Sequence, residues 1–269
     1  MIRPLEISSL TKSFLTAAGC HTVVKDFRAV IQPGEFVSLL GHSGCGKSTV
    51  LAIVAGLLEP TEGGVIVDGR EIDGPGLDRA LVFQSPSLLP WMSALDNVLL
   101  AVRQAHPRWP RKQQLELAHK YLAMVGVEEF ARLLPGELSQ GTQQRISIAR
   151  AFSLEPRYLL LDEPFGMLDS ITRRELQDLV LSLWEQDRKT VILVTHDIDE
   201  ALYLSDRILL MTDGPESRVG REIPVRLPRP RSPENLVDDS LYFEMRNEIL
   251  RFLEHHSRQF GHEAPARPA

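Results

Sequence analysis

Apolar and polar positions change their period several times along this chain, and the changes mark its elements. Leu5, Ile7 and Leu10 are spaced much as one face of a strand, and Thr22 to Ile31 forms a second extended segment that stops at Gln32-Pro33-Gly34. Phe36 to Leu40 is a short apolar run. Val65-Ile66-Val67 and Glu71-Ile72 flank Asp68-Gly69, a pair suited to a two-residue hairpin turn. Ala80 to Phe83 predicts another strand, ending at Gln84. From Ala94 to about Leu154 the period is helical: Leu115, Ala118, Leu122 and Val125 keep one face and Gly126 stops it. Three apolar strands then alternate with helices: Arg157–Leu161, Thr190–Val194 and Arg207–Met211. Between the first two, Leu176, Leu179, Val180, Leu183 and Trp184 make a single stripe.

Continuous apolar strands separated by helices predict an α/β fold with a parallel sheet covered on both faces, interrupted by a helical lobe at about 90–155. In such sheets ligands sit at the carboxyl ends of the strands. Gly41, Gln84, Asp162 and His196 all fall at such ends.

The stretch Gly41-His42-Ser43-Gly44-Cys45-Gly46-Lys47-Ser48-Thr49 lies between the Phe36–Leu40 strand and the apolar run Val50 to Leu58. A strand that ends in glycines and feeds a helix aims several backbone N–H groups at one spot, and the helix dipole adds positive potential there. Gly41, Gly44 and Gly46 let the backbone wrap a phosphate chain, Lys47 supplies a cation for the outer phosphates, and the Ser48 hydroxyl is placed to ligate magnesium. This is a nucleotide site. Cys45, at a helix start between glycines, is either a favoured thiolate or a small residue that fits.

Asp162 and Glu163 close an apolar strand, a costly place for two carboxylates unless a cation is near. Their side chains diverge, so one suits a magnesium shell and the other a water that attacks the terminal phosphate. His196, on another strand end, reads as a γ-phosphate contact. Ser139 predicts an N-cap, with Ile146, Ile148 and Ala149 facing inward. Phe14 is either a ring for stacking on a base or a plain core or edge phenylalanine.

Composition adds boundaries. The 269 residues are 43% hydrophobic and 25% charged, the profile of a globular protein able to bury a large core. A net charge of −6 argues against nucleic acid as a partner. The run Val50 to Leu58 is too short to span a bilayer, and Cys20 and Cys45 make no metal pattern. Arg218, Arg221, Arg226, Arg229 and Arg231, with Pro224, Pro228 and Pro230, predict a solvated extended linker. A last helix, roughly Leu241 to His255, has Leu241, Met245, Leu250 and Leu253 to pack, and 261–269 reads as a disordered tail.

With Leu138-Ser139-Gln140-Gly141-Thr142-Gln143-Gln144-Arg145 in view, the chain resembles the nucleotide-binding subunits of ATP-binding-cassette (ABC) transporters, from about Pro4 to Gly214. The resemblance implies a P-loop NTPase of ABC type, with a mainly parallel core, an N-terminal antiparallel β subdomain and a helical subdomain. The ATPase domain would span 1–232, followed by a helical extension at 233–260.

Gly41 to Thr49 then matches the Walker A loop that grips ATP, and Phe14 the aromatic that stacks on adenine. Gln84 matches the glutamine that meets Mg2+ and senses the γ-phosphate; Leu159 to Glu163 matches Walker B, with Asp162 on the metal and Glu163 as the base. Leu168 and Asp169 match the loop joining two active sites, and His196 the switch histidine. Leu138 to Gln144 matches the signature motif, whose Ser139 and Gly141 would touch ATP on a second ATPase subunit, either an identical copy or a paralogue. Gln140 replaces a glycine there, Thr142 a common glutamine or methionine, and Met167 a frequent alanine.

Leu88 to Trp91 lies where the family receives the coupling helix of its transmembrane permease, with a substrate-binding protein acting indirectly. That implies a peripheral subunit on the cytoplasmic face of a bacterial inner membrane. Finer similarity, in Leu88 to Trp91, Thr195 to Ala201 and Met211 to Pro215, is to bacterial importers of small anions. Leu227 to Arg231 followed by Tyr242 to Leu253 resembles nitrate, nitrite or cyanate ATPase subunits first, sulfonate or taurine subunits next. A soluble non-transport ABC ATPase and a P-loop kinase are the alternatives. The kinase leaves the signature segment without a role.

Overall fold

The computed structural model describes residues 3–17, 19–232, 235–236 and 238–259. The expected tail at 261–269 lies outside them. The chain divides into two compact units, one made of Met1–Asp73 and Val194–Ala269, the other of Gly74–Leu193.

In the first unit, β1 (Leu5–Thr16) pairs antiparallel with β2 (Gly19–Ile31) and with β4 (Glu62–Val67), and β4 turns back into β5 (Arg70–Glu71). Leu5, Ile7 and Leu10 are all buried although their spacing is not strictly alternate. Ser9 adopts φ 47° and the pairing register shifts between Ile7 and Leu10, a bulge that returns Leu10 to the inner face. The hairpin falls where Asp68-Gly69 predicts it, with φ of 53° and 79° at the two turn residues. Such positive values suit an Asp-Gly turn of the twist that hairpins favour.

The same unit holds β3 (Phe36–Leu40), every residue of which is buried, and α1 (Lys47–Val54). Parallel to β3 runs β9 (Arg207–Met211), and β10 (Val219–Pro224) adds antiparallel to β9. The unit also contains α6 (Ile198–Leu204) and a long helix, α7 (Ser240–Gln259).

Two expectations for this region are corrected. The arginine-rich stretch is not a solvated linker: Val219–Pro224 is strand β10, and Arg231 is only 6% exposed. Along α7, Met245, Ile249 and Leu253 are buried while Leu250 is exposed; the inner stripe runs at steps of four.

The second unit contains β6 (Arg79–Val82) parallel to β7 (Tyr158–Asp162), and the helices α2 (Ala94–Ala105), α3 (Arg111–Met124), α4 (Gln140–Phe152) and α5 (Ser170–Asp187). β8 (Thr190–Thr195), buried throughout, crosses the division. Leu176, Val180, Leu183 and Trp184 face inward from α5, and the Trp184 indole donates to the Lys189 carbonyl.

Candidate nucleotide site

In the first unit the loop between β3 and α1 has the backbone that phosphate binding requires. Gly44 and Gly46 take φ of 81° and 96°, where a side chain is strained. A Cβ on Gly46 would also lie 2.7 Å from a Val24 methyl. Gly46 is the N-cap of α1 and brings no side chain to cap the first turn, so an anion is the natural partner for those amides.

Lys47 is 4% exposed, and its ammonium donates to the carbonyls of Gly41 (2.8 Å) and His42 (2.9 Å). No carboxylate lies within ion-pair distance of it among the described residues. A buried ammonium with three donors, two of them on carbonyls, fits an anionic third partner.

Residues that sequence reasoning left aside fix this loop. His42 Nδ1 is 2.8 Å from Asp213 Oδ1, and the Ser217 hydroxyl bonds to the Cys45 carbonyl. Both partners follow β9, about 170 residues away in sequence, so no local pattern announces them. Of the two readings of Cys45 the structure supports the small residue that fits: it is 2% exposed, and burial raises its thiol pKa.

His196 follows β8 and is exposed. Asp197, next to it, caps α6 by accepting from the amides of Asp199 and Glu200. Phe14 is partly exposed on β1, with the Lys12 ammonium 5.1 Å from its ring centroid. That is a solvent-facing ring and not a core one.

In the second unit, Gln84 follows β6 and Glu163 follows β7, and the structure brings them together: Gln84 Nε2 donates to Glu163 Oε2 across 3.4 Å. Glu163 holds φ 44°, a costly conformation for a non-glycine residue that recurs at functional sites. Asp162 closes β7 and is partly buried.

Gln144 is the residue here whose role the sequence did not disclose. Its side-chain amide donates to the carbonyls of Phe83 (3.1 Å) and Pro164 (2.9 Å), tying the loop with Gln84 to the loop with Glu163. Asn97, fully buried, holds the turn before it through Leu89, Met92 and Ser93. Trp91 is left 72% exposed, and Leu88 and Leu89 are half-buried.

Ser139 caps α4, its Oγ accepting from the Thr142 amide (3.2 Å) and lying 2.8 Å from Thr142 Oγ1. Gln140 is exposed, and a Cβ on Gly141 would meet a Thr172 methyl at 2.7 Å. Asp169 caps α5, and its hydrogen bonds from Thr172 keep its carboxyl below the ordinary range.

A P-loop with this backbone, in this fold, defines a nucleotide-binding ATPase. The ABC transporter family model matches residues 24–166. Over 96% of its length the chain is 46% identical to the nitrate import ATP-binding protein NrtD of Synechococcus elongatus, covering 93% of that protein. It is 44% identical, again over 96% of its length, to the bicarbonate transport ATP-binding protein CmpD of the same species, covering 92% of it. Among solved structures, the ATP-binding cassette MJ0796, as a dimer bound to ADP and Pi, superposes with a TM-score of 0.74 at 35% identity, over 83% of this chain and all of that one. The chain belongs to the ABC transporter ATP-binding family and is an ATPase of the P-loop α/β fold. No helix among the described residues is long and apolar enough to cross a membrane.

Proposed function

We propose that this chain hydrolyses ATP to drive import of a small oxyanion, nitrate in the first place, through separate membrane proteins. The observation that carries the ATP site is the Lys47 ammonium, buried in a glycine cradle on two carbonyls with no carboxylate beside it among the described residues. The relatives' names supply the cargo. Nitrate and bicarbonate are both planar, singly charged and built on three oxygens, and bicarbonate is therefore the second reading. On the sequence resemblance, nitrite or cyanate and then sulfonate or taurine follow.

The amides of Gly41 to Thr49 and Lys47 would grip the phosphates, and Phe14 would stack on adenine. Ser48, Gln84 and Asp162 would hold Mg2+, which neutralises charge on the phosphate oxygens when bound. One carboxylate with two neutral oxygen donors suits that ion, which keeps waters and phosphate oxygens as its other ligands. Glu163 takes the proton of the attacking water, and Gln84, bonded to it, orients the carboxylate. His196 meets the γ-phosphate. Ser139 and Gly141 act on ATP held by a second ATPase subunit, so hydrolysis needs a pair.

On this reading residues 1–232 are the ATPase domain with a helical lobe at about 90–155, and 233–260 an extension. Trp91 and its neighbours receive the permease on the cytoplasmic face of the membrane.

The test is reconstitution with the copurifying permease and binding protein. Nitrate in the outer compartment should stimulate ATP hydrolysis more than bicarbonate or taurine does. Stimulation by bicarbonate alone moves the assignment to the second reading; purification without any permease contradicts the transport role.

A further inference from the structure

The short helix after His196 is held at both ends by the C-terminal part of the chain. α6 has seven residues, too few to be stable or to fix its own position in isolation. At its start, Asp199 Oδ1 accepts from the Tyr242 hydroxyl (2.7 Å) and from Arg246 Nε (2.7 Å), both on α7. At its end, Arg231 donates from one guanidinium nitrogen to the carbonyls of Leu202 (2.9 Å), Tyr203 (3.1 Å) and Ser205 (2.7 Å). Its Nε and second terminal nitrogen go to the Leu227 carbonyl.

A cation at a helix carboxyl end meets both the dipole and the carbonyls that the helix cannot satisfy itself. Among the described residues this guanidinium hydrogen-bonds to carbonyls only, and it is buried, so its role is to fix geometry. Burial and the neighbouring Arg229 lower its pKa to about 10. Arg229 joins the same end, through the carbonyl of Leu204 and the Asp206 carboxylate.

β8 fixes His196 from one side; from the other, Asp197 links it to α6. We propose that Arg231, Tyr242 and Arg246 are positioning residues for His196, so that these C-terminal side chains set where the switch histidine stands over the nucleotide. The proposal rests on His196 meeting the γ-phosphate.

The experiment uses the full chain with Tyr242→Phe and Arg246→Met combined. It reads ATP hydrolysis, ATP affinity and the His196 imidazole resonances, assigned by their loss in His196→Gln. Half-exposed charge-assisted contacts predict a kcat about three- to fivefold lower. KM and ATP affinity should stay within about twofold, with the His196 signals displaced and those of His106 and His119 unmoved. Arg246→Lys alone should keep most of the rate. Arg231→Met should lower kcat further, and because it removes a buried cap the Tyr242 and Arg246 variants carry the test should it fail to fold. Unmoved His196 signals, or an unchanged kcat in the double variant, overturn the proposal. Full activity in His196→Gln would instead remove the underlying role of His196, whatever its signals do.

Discussion

The Gln84 amide donates to the Glu163 carboxylate across 3.4 Å, joining the loops that follow β6 and β7. Glu163 pays for this aim with a left-handed backbone, and Gln144 holds the two loops in place from beneath. A carboxylate set this way suits proton removal from water. Glu163→Gln should keep ATP affinity and lower kcat by about 10²–10⁴-fold, the usual share of a general base. Steady-state hydrolysis beside a nucleotide titration checks it, and unchanged turnover removes Glu163 from that role.

Among the described residues Lys47 makes no ion pair, which leaves its charge available for phosphate on the proposed function. Lys47→Ala should weaken ATP binding by roughly 10–100-fold, the worth of a hydrogen bond to a charged group. Wild-type affinity in a fluorescent-nucleotide titration would contradict the assignment.

Ser139 and Thr142 share a hydroxyl contact at 2.8 Å, which on the proposed function competes with the reach of Ser139 toward a partner subunit's ATP. Thr142→Val removes that contact and leaves the amide cap. The expected result is a KM for ATP lower by up to about threefold, the scale of one hydrogen bond. A raised KM would show that Thr142 supports the active rotamer instead.

Burial raises the Cys45 thiol pKa, so the folded state holds the proton where the unfolded chain has begun to lose it. The stability this contributes is present below the ordinary thiol range and is lost as pH rises through the folded value. Alkylation at pH 8 should therefore modify Cys20, which is exposed, far faster than Cys45. Equal rates for the two cysteines would refute the packed-thiol assignment.

Much of the fold was legible because its signals are local. The β4–β5 hairpin follows from Asp68-Gly69, the α4 cap from Ser139, and the P-loop from nine consecutive residues. What escaped depends on distant partners. The arginine-rich stretch looks like a linker until Asp206, Asp199 and the carbonyls of α6 are seen to receive its charges and those of α7. Leu250 was assigned inward because α7 has apolar residues at adjacent positions 249 and 250, and only packing selects Ile249. The candidate residues themselves were readable from motif spacing, whereas the holding roles of Gln144, Asn97 and Asp213 depend on distant partners, although Gln144 ends the signature segment and Asp213 lies within Met211 to Pro215.

The central claim is that one chain holds half of each of two ATP sites. Light scattering on Glu163→Gln, with and without ATP and Mg2+, tests it most directly. The expected result is a monomer without nucleotide and a dimer, two ATP per pair, when ATP is present. A monomer under both conditions, at concentrations that saturate the site and also when mixed with any copurifying ATPase subunit, would contradict it.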